Sequence, residues 1–206
     1  MTLATLLYFL TASMALTIAP GPDNIFVVTQ GIARGRKPAI VTALGMVSGV
    51  SVHTAAAALG VSAIFYSSAV AFGVLKLAGA AYLLFLAYKT VKNRSAITFG
   101  TPDERPASAL FKRGFLMNVL NPKVAMFFLA FLPQFAAPGA PRFALHMMLL
   151  GAIFMAQAAV IFSLIGWFSG SIGEFVVSRP KIKAYFDWLT AGVFTALGLR
   201  LAFAQR

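Results

Sequence analysis

The side chains best suited to chemistry stand at two proline-containing motifs inside long apolar segments. The first motif, "APGPDNIF" at residues 19–26, contains Pro20, Gly21, Pro22, Asp23 and Asn24. The second, "NVLNPKVAM" at residues 118–126, contains Asn118, Asn121, Pro122 and Lys123. A helix interior does not tolerate proline or a bare carboxylate without a reason, and ionisable groups in apolar segments are functional by default. Together, carboxylate, amide and ammonium groups could bind a zwitterion or carry a proton.

The composition places these motifs in a membrane. The chain has 206 residues, 60% of them hydrophobic and 11% charged, and its mean hydropathy is +0.85. A soluble domain is about half apolar and about a quarter charged. Six hydrophobic segments emerge, at about 3–33, 39–64, 69–91, 112–136, 143–170 and 182–203. Each is longer than the roughly 20 residues that span a bilayer. The first is predicted to be a retained helix because it lacks the positive n-region of a cleavable signal.

The charge pattern predicts an orientation and excludes several classes of protein. Most of the 17 basic residues lie in alternate loops, namely Arg34, Arg36, Lys37, Lys89, Lys92, Arg94, Arg105, Lys112, Arg113, Arg179, Lys181 and Lys183. Such loops face the cytoplasm, so both termini are predicted to be periplasmic, although Arg200 and Arg206 oppose this bias mildly. The net charge of +12 does not indicate nucleic-acid binding, which needs a contiguous basic face. The absence of cysteine excludes disulfides and thiolate metal sites.

The segments also predict an internal duplication. The breaks at residues 20–22 and at Pro122 fall in the first and fourth segments, which correspond if the chain has two halves. Three helices per half is an odd number, so the second half would be inverted. We therefore predict an all-α integral membrane protein whose six transmembrane helices form two inverted three-helix repeats, with helices 1 and 4 broken at their prolines. A single transmembrane domain, 1–206, would divide into repeats 1–91 and 111–206, joined by a cytoplasmic linker, 92–110.

Breaks of this kind point to a binding site. Freed backbone groups are tolerated at bilayer depth only where they line a cavity, and paired interrupted helices mark the substrate sites of transporters. Asp23 and Lys123 then allow two interpretations. They could pair across the two broken helices and neutralise each other, or Asp23 could exchange a proton or contact a substrate ammonium. Both interpretations hold if the pair opens to admit a zwitterion.

Three further polar residues lie inside the segments. His53, midway along the second segment, could make an interhelical hydrogen bond or relay protons, which makes it, with Asp23, a candidate for proton coupling. Gln157, in the middle of the fifth segment, is a candidate for lining the cavity. Asp187 is predicted to pair with Lys183 or Arg179. Gly45 and Gly49 form a GxxxG motif that predicts close helix packing within the subunit.

Two stretches that contain these motifs carry a family resemblance. They are "APGPDNIFVVTQGIARGRKPAIVTALGMVSG" at 19–49 and "RGFLMNVLNPKVAMFFLAFLPQF" at 113–135. Both resemble the lysine-exporter and homoserine/threonine-resistance (LysE/RhtB) family of bacterial amino-acid exporters. The resemblance covers almost the whole chain except the loop near 95–108. It implies a small protein of the bacterial inner membrane that exports amino acids, driven by the proton-motive force and without an ATP site.

The resemblance and the motifs together suggest a mechanism. A substrate carboxylate would be held by exposed N–H groups at a half-helix N-terminus and by Lys123, and the ammonium by freed carbonyls, Asp23 and the asparagines. The predicted apolar wall consists of Met126, Phe127, Phe128 and Met155. The predicted partners are a small or neutral amino acid of the threonine, homoserine or leucine type, protons and membrane lipids. No nucleic acid, cofactor or metal is predicted, and a homodimer is left open.

Other classes of function fit the sequence less well. An enzyme would need a nucleophile with its base or a cluster of metal ligands, and the chain has two well-separated histidines and five acidic residues, three of them in loops. A channel would show a continuous polar stripe, whereas the polar groups here concentrate at two breaks. An exporter of another small solute or ion, and a purely structural subunit, remain as alternatives.

Overall fold

The computed structural model is helical wherever it has regular structure within the residues it describes, which are 2–61, 68–92, 102–103, 105–135, 142–171 and 180–203. The helices are α1 (Leu3–Ile18), α2 (Pro22–Arg34), α3 (Arg36–Ala55), α4 (Ala69–Lys92), α5 (Ala107–Val119), α6 (Pro122–Met126), α7 (Phe143–Trp167) and α8 (Pro180–Phe203). A π-helical turn, Ala56–Val61, extends α3. A second π-helical turn, Phe127–Phe131, and a 3-10 turn, Leu132–Phe135, extend α6. The predicted all-α class is confirmed.

Helix α5 begins earlier than hydropathy predicts. It starts at Ala107, inside the stretch predicted as a linker, and Pro106 precedes it with its carbonyl accepting the N–H of Leu110 at 3.1 Å. Hydropathy placed the start near residue 112 because Lys112 and Arg113 are charged. Both side chains are exposed, so the first turns of α5 carry charge without burying it. The division of the chain into repeats stays a prediction.

The first break follows directly from its two prolines. Pro20 has no N–H, so the carbonyl of Leu16, four residues earlier, has no partner within the helix. Helix α1 therefore ends at Ile18, and Gly21 is extended, with φ −161° and ψ 177°. Pro22 then starts α2 at the first helical position, where its fixed φ is suitable and its missing N–H costs nothing. The two helices meet at an angle of 56°.

The second break has the same design. Helix α5 ends at Val119, and Pro122 occupies the first position of α6. The side chain of Asn121 caps α6 by accepting the backbone N–H of Lys123 at 2.9 Å. The angle at this break is 48°. Both predicted interruptions are therefore present in the structure.

Several helices are long and apolar enough to cross a membrane. Three of them qualify individually within the described residues, Arg36–Gly60, Val70–Lys92 and Phe143–Trp167. The bent pairs α1–α2 and α5–α6 raise the number to five if each pair is one span. Helix α8 occupies the predicted sixth segment but is not among these helices. The fold is thus that of a membrane protein, and the count of six spans stays a prediction.

Close backbone packing joins α3 to α5. A Cβ atom added to Gly45 would overlap the backbone carbonyl of Phe111, and one added to Gly114 would overlap the carbonyl of Thr42. A Cβ at Gly49 would lie 2.8 Å from the carbonyl oxygen of Phe115. The GxxxG motif is therefore used within the subunit, as its spacing predicts. This packing holds α3 against the helix that leads into the second break.

Polar contacts of Asp103 join α2 to α5 at the end of the molecule where α2 ends and α5 begins. This end is called here the basic end, and the segment around Asp103 is called the strap. Asp103 forms ion pairs of 2.7 Å with Arg105 and with Arg113 of α5. On α2, Arg34 donates to the backbone carbonyl of Asp103 at 2.5 Å, and the Gln30 amide, suitably oriented, bonds the backbone of Asp103. Hydrogen bonds from Arg105 and Arg113 hold the pKa of the Asp103 carboxyl well below its usual range. The strap thus ties α2 to α5.

Aromatic rings close the opposite end, called here the aromatic end. Phe9 of α1 packs edge-on against Phe135 with ring centroids 5.2 Å apart, and Tyr8 stacks on Phe135 at 5.3 Å. Phe131 contacts Phe135 at 5.0 Å and Phe127 at 5.1 Å. These rings join α1 to the extension of α6. The aromatic end therefore holds the two halves together through apolar contacts.

We predict that Gly45→Ala lowers the thermal stability of the detergent-solubilised protein. The new methyl group must push α5 away from α3, and overpacking of this kind costs about 1–3 kcal/mol. The melting temperature can be measured by intrinsic fluorescence or by size-exclusion chromatography after heating. Gly73→Ala is the matched control, because it is also helical and a Cβ there has no neighbour within 4 Å. Equal melting temperatures for the two variants would contradict the packing described.

Candidate functional site

Lys123 joins the two broken helices. It lies in the first turn of α6, is buried, and its Nζ donates to the carbonyls of Leu16 and Ala19, both at 3.1 Å. These carbonyls stand at the C-terminal end of α1, where the first break leaves them without helical partners. A cation is favoured at this end of a helix because the carbonyl dipoles point toward it. Gly21 leaves room for the ammonium, since a Cβ there would lie 3.2 Å from Nζ.

Asp23 takes the complementary position on α2. It is 3% exposed and lies in the first turn, where helix N–H groups favour a negative charge. Its Oδ2 accepts a hydrogen bond of 3.3 Å from Asn118 Nδ2, at the end of α5. No Lys, Arg or His nitrogen lies within 4.0 Å of this carboxylate among the described residues. The direct Asp23–Lys123 ion pair that one interpretation of the sequence predicted is therefore not formed; each charge bonds to neutral groups of the other half instead.

His53 of α3 supports the second break. Its Nε2 lies 3.0 Å from the backbone oxygen of Asn118, one of the carbonyls at the end of α5. Its ring also lies 6.0 Å from the ring of Phe128. The interhelical hydrogen bond that the sequence allowed is present. A proton relay through His53 stays a prediction.

Thr17 connects the first break to α7. Its hydroxyl donates to the carbonyl of Ser13 at 2.9 Å and accepts from Gln157 Nε2 at 2.9 Å. Its backbone carbonyl accepts from Asn24 Nδ2 at 3.0 Å. Gln157 thus lies at the first break, and its predicted role in lining the cavity stays a prediction.

Five buried polar atoms around the breaks have no hydrogen-bond partner in the described structure. Four are acceptors, namely Asp23 Oδ1, Asn24 Oδ1, Asn118 Oδ1 and Gln157 Oε1, and the fifth is a donor, Asn121 Nδ2. The amide orientations are fixed by the partners of the opposite amide atom, so these identities are not interchangeable. Unpartnered buried polar atoms are rare and costly. Among the described residues, the breaks therefore present more unpartnered acceptors than unpartnered donors.

A small space lies beside Asp23, Asn118 and Lys123. It measures about 10 Å³, enough for roughly one water molecule, and is lined by Leu16, Thr17, Asp23, Val50, Asn118, Lys123, Val124, Phe154 and Phe162. The site is thus closed in this conformation. Its aromatic wall consists of Phe154 and Phe162. None of the four residues of the predicted wall, Met126, Phe127, Phe128 and Met155, lines this space. Phe127 and Phe128 instead pack against Phe154, with ring centroids 5.6 and 5.0 Å away.

The structure brings the predicted site residues together and adds others. All of the candidates at the two motifs, and Gln157, lie at the breaks. Thr17 and the carbonyls of Leu16 and Ala19 were not among the predicted site groups. The Leu16 carbonyl could have been predicted from the sequence. In a continuous helix it would accept the N–H of residue 20, and Pro20 has no N–H. The prediction for Asp187 involves Arg179 and the Lys183 side chain, which lie outside the described residues.

Comparison with known proteins places the chain among membrane translocators. Residues 14–205 match the family model described as "LysE type translocator". The homoserine/homoserine lactone efflux protein of Salmonella typhimurium is 29% identical over 199 residues, covering 96% of this chain and 95% of that protein. The leucine efflux protein of Klebsiella pneumoniae is 31% identical over 206 residues, covering 97% of this chain and 95% of the relative. No solved structure matches the chain.

We predict that Lys123→Met lowers the melting temperature of the purified protein. Two carbonyls at the end of α1 would lose their donor, and each unsatisfied buried group costs about 1–3 kcal/mol. Lys112→Met, on the exposed face of α5, is the matched control and should change stability by less than about 0.5 kcal/mol. If both variants melted at the wild-type temperature, Lys123 would not hold the first break.

Proposed function

Because the chain belongs to the LysE type translocator family, we propose that it exports small neutral amino acids as a secondary transporter of the bacterial inner membrane. The relatives named as homoserine and leucine efflux proteins support a substrate of this class. The protein is a transporter and not an enzyme. Among the described residues, no three His, Asp or Glu side chains are grouped so as to hold a metal ion.

The observation that carries the proposal is that unpartnered hydrogen-bond acceptors outnumber unpartnered donors at the breaks. A substrate ammonium offers three N–H donors, and four acceptor atoms there have no partner. Asn121 Nδ2 and the Lys123 ammonium are the donors available for a carboxylate. An α-amino acid carries both groups on one carbon and so matches both requirements. An inorganic anion would leave the acceptors unfilled, and a metal cation would leave the donors unused.

The wall of the site favours a neutral side chain. Phe154, Phe162, Val50 and Val124 surround the small cavity. Asp23 is the one carboxylate that lines it, and in our proposal it contributes to binding the ammonium. A basic side chain would then have no counter-ion. We therefore favour substrates of the threonine, homoserine or leucine type over lysine.

Substrate binding would replace hydrogen bonds that Lys123 makes within the protein. Lys123 occupies the carbonyls of Leu16 and Ala19 when the site is closed. A substrate ammonium arriving at these carbonyls would release Lys123, which could then turn to the substrate carboxylate. The substrate would then link α1 to α6 in place of the direct hydrogen bonds from Lys123. Binding would in this way be linked to the relative movement of the two halves.

The packing of the helices supports two inverted repeats. The broken pair α1–α2 meets its counterpart α5–α6 at Lys123, α3 packs on α7, and α4 packs on α8. Each predicted span thus contacts the equivalent span of the other half, as expected when two halves rock about a central site. We propose six spans with both termini periplasmic and the basic end cytoplasmic. A homodimer is compatible with this arrangement but has no specific support.

We also propose coupling to the proton-motive force, with Asp23 as the first candidate carrier and His53 as the second. Asp23 has one carboxylate oxygen bonded to Asn118 and one without a partner. His53 is bonded to the carbonyl of Asn118, so both candidates touch the same residue. Proton exchange at Asp23 would therefore act directly on the residue that stands at the end of α5.

Efflux from loaded cells tests the proposed function. Cells that express the protein should release labelled threonine, homoserine or leucine faster than control cells, whereas labelled lysine and glutamate should be retained. Lys123→Ala should abolish the difference, because it removes both the tie at the first break and the donor for the carboxylate. Lys112→Ala should export at the wild-type rate. No efflux of any amino acid by correctly inserted protein would count against amino-acid export.

The same assay tests coupling. A protonophore should stop wild-type efflux, and Asp23→Asn should make the remaining rate independent of external pH because the side chain no longer titrates. His53→Gln, which can keep a donor near the Asn118 carbonyl, should retain the pH dependence. An Asp23→Asn protein with wild-type rate and unchanged pH dependence would exclude Asp23 as the proton carrier.

A further inference from the structure

Arg200 has no role in the fold or in the transport site described above. It is exposed, three residues before the end of α8, at the aromatic end. Its guanidinium carbon lies 3.6 Å from the centroid of the Tyr8 ring on α1. This stacking holds the planar group in place through a cation–π contact. An arginine at this end also works against the positive-inside bias, so its presence needs another explanation.

Arg200 opens onto a pocket of about 400 Å³. The pocket is lined by Tyr8, Phe131, Gln134, Phe135, Arg200, Leu201 and Phe203. Ligand sites in proteins commonly measure about 300–1,000 Å³ and combine an apolar wall with a few polar groups. Here the guanidinium of Arg200, the amide of Gln134 and the hydroxyl of Tyr8 are the polar groups, and each can donate a hydrogen bond. Among the lining side chains there is no carboxylate.

The described part of the chain provides no anion for Arg200. Asp23 lies at the first break and Asp103 at the basic end, where Arg105 and Arg113 bind it. Asp187 lies near the beginning of α8, and Arg200 near its end, so about 20 Å of helix separates them. The pocket therefore contains an ordered cation without a carboxylate from the described chain.

We propose that Arg200, with Gln134 and Tyr8, forms an anion-binding site that takes one carboxylate or phosphate group. A guanidinium presents its N–H groups as a fork that matches either oxyanion with two parallel hydrogen bonds. Stacking on Tyr8 leaves the edge of the fork available to the ligand. Gln134 adds a neutral donor beside it.

The position of the site suggests the carboxylate of an exported amino acid as its source, an extension that rests on the proposed function. Phe154 lines the central cavity, and its ring lies 5.6 Å from that of Phe127. Phe127 lies 5.1 Å from Phe131, which lines the pocket of Arg200. These three rings separate the two spaces. A substrate that passes them would meet Arg200 next. The phosphate of a lipid headgroup is the other source of the same chemistry.

Chemical modification of Arg200 tests the site without requiring transport. The purified protein, in maltoside micelles, is treated with p-hydroxyphenylglyoxal, and the rate at Arg200 is followed by mass spectrometry. Leucine at about ten times its dissociation constant should slow modification about tenfold, whereas leucinamide, which lacks the carboxylate, should not. Arg142, exposed at the same end, is the internal control and should react at a constant rate. Gln134→Leu should weaken the protection.

The outcomes distinguish a substrate carboxylate from a lipid phosphate as the bound anion. They also test the anion site separately from amino-acid export. Protection by leucine identifies a carboxylate site, and protection in vesicles of phosphatidylglycerol without leucine identifies a lipid phosphate; both support the anion site. Equal rates at Arg200 under all conditions would overturn it, because the guanidinium would then only stack on Tyr8. Since no efflux is measured, this failure would leave amino-acid export intact, and failed efflux would leave the anion site intact.

Discussion

The missing N–H of Pro20 is the constraint on which the centre of the molecule depends. Water cannot satisfy a carbonyl deep in an apolar protein, so the free carbonyl of Leu16 needs a donor from elsewhere in the chain. Lys123 is that donor, and it comes from the other broken helix. A local defect in one half is therefore corrected by the other half. The burial of a lysine between the two broken helices follows from this requirement.

Four buried acceptor atoms at the breaks have no partner in the described part of the chain. A protein selected for stability alone would place partners beside Asp23, Asn24, Asn118 and Gln157 or replace them with apolar residues. Here each of these side chains uses one atom to hold a break and leaves another without a partner. Hydrogen bonds thus fix the positions of these four side chains, although each of them keeps one polar atom without a partner. In the function proposed above, the ammonium of an amino acid would supply donors to these atoms.

The sequence predicted much of this structure because its strongest signals are local. Hydropathy located six helical segments, and the prolines located both breaks and the polar residues that gather there. It misplaced the start of α5, where Lys112 and Arg113 lie on an exposed helical face. It did not identify Phe154 and Phe162 as the aromatic lining of the small space, because the direction in which an apolar side chain of a uniformly apolar helix points depends on packing between distant segments. Whether Asp23 and Lys123 pair directly depends on the distance between two segments far apart in sequence. No pattern within one sequence gives that distance.

The two ends of the molecule are closed by different forces. At the basic end, Asp103 holds α2 to α5 through ion pairs with partly exposed arginines, and such contacts weaken as dissolved ions screen them. At the aromatic end, Phe9 and Phe135 hold α1 to the extension of α6 by burial of apolar surface, which salt does not screen. Ionic strength therefore acts on one closure and spares the other. The strength of the contact at the basic end is in this sense a property of the solution as well as of the chain.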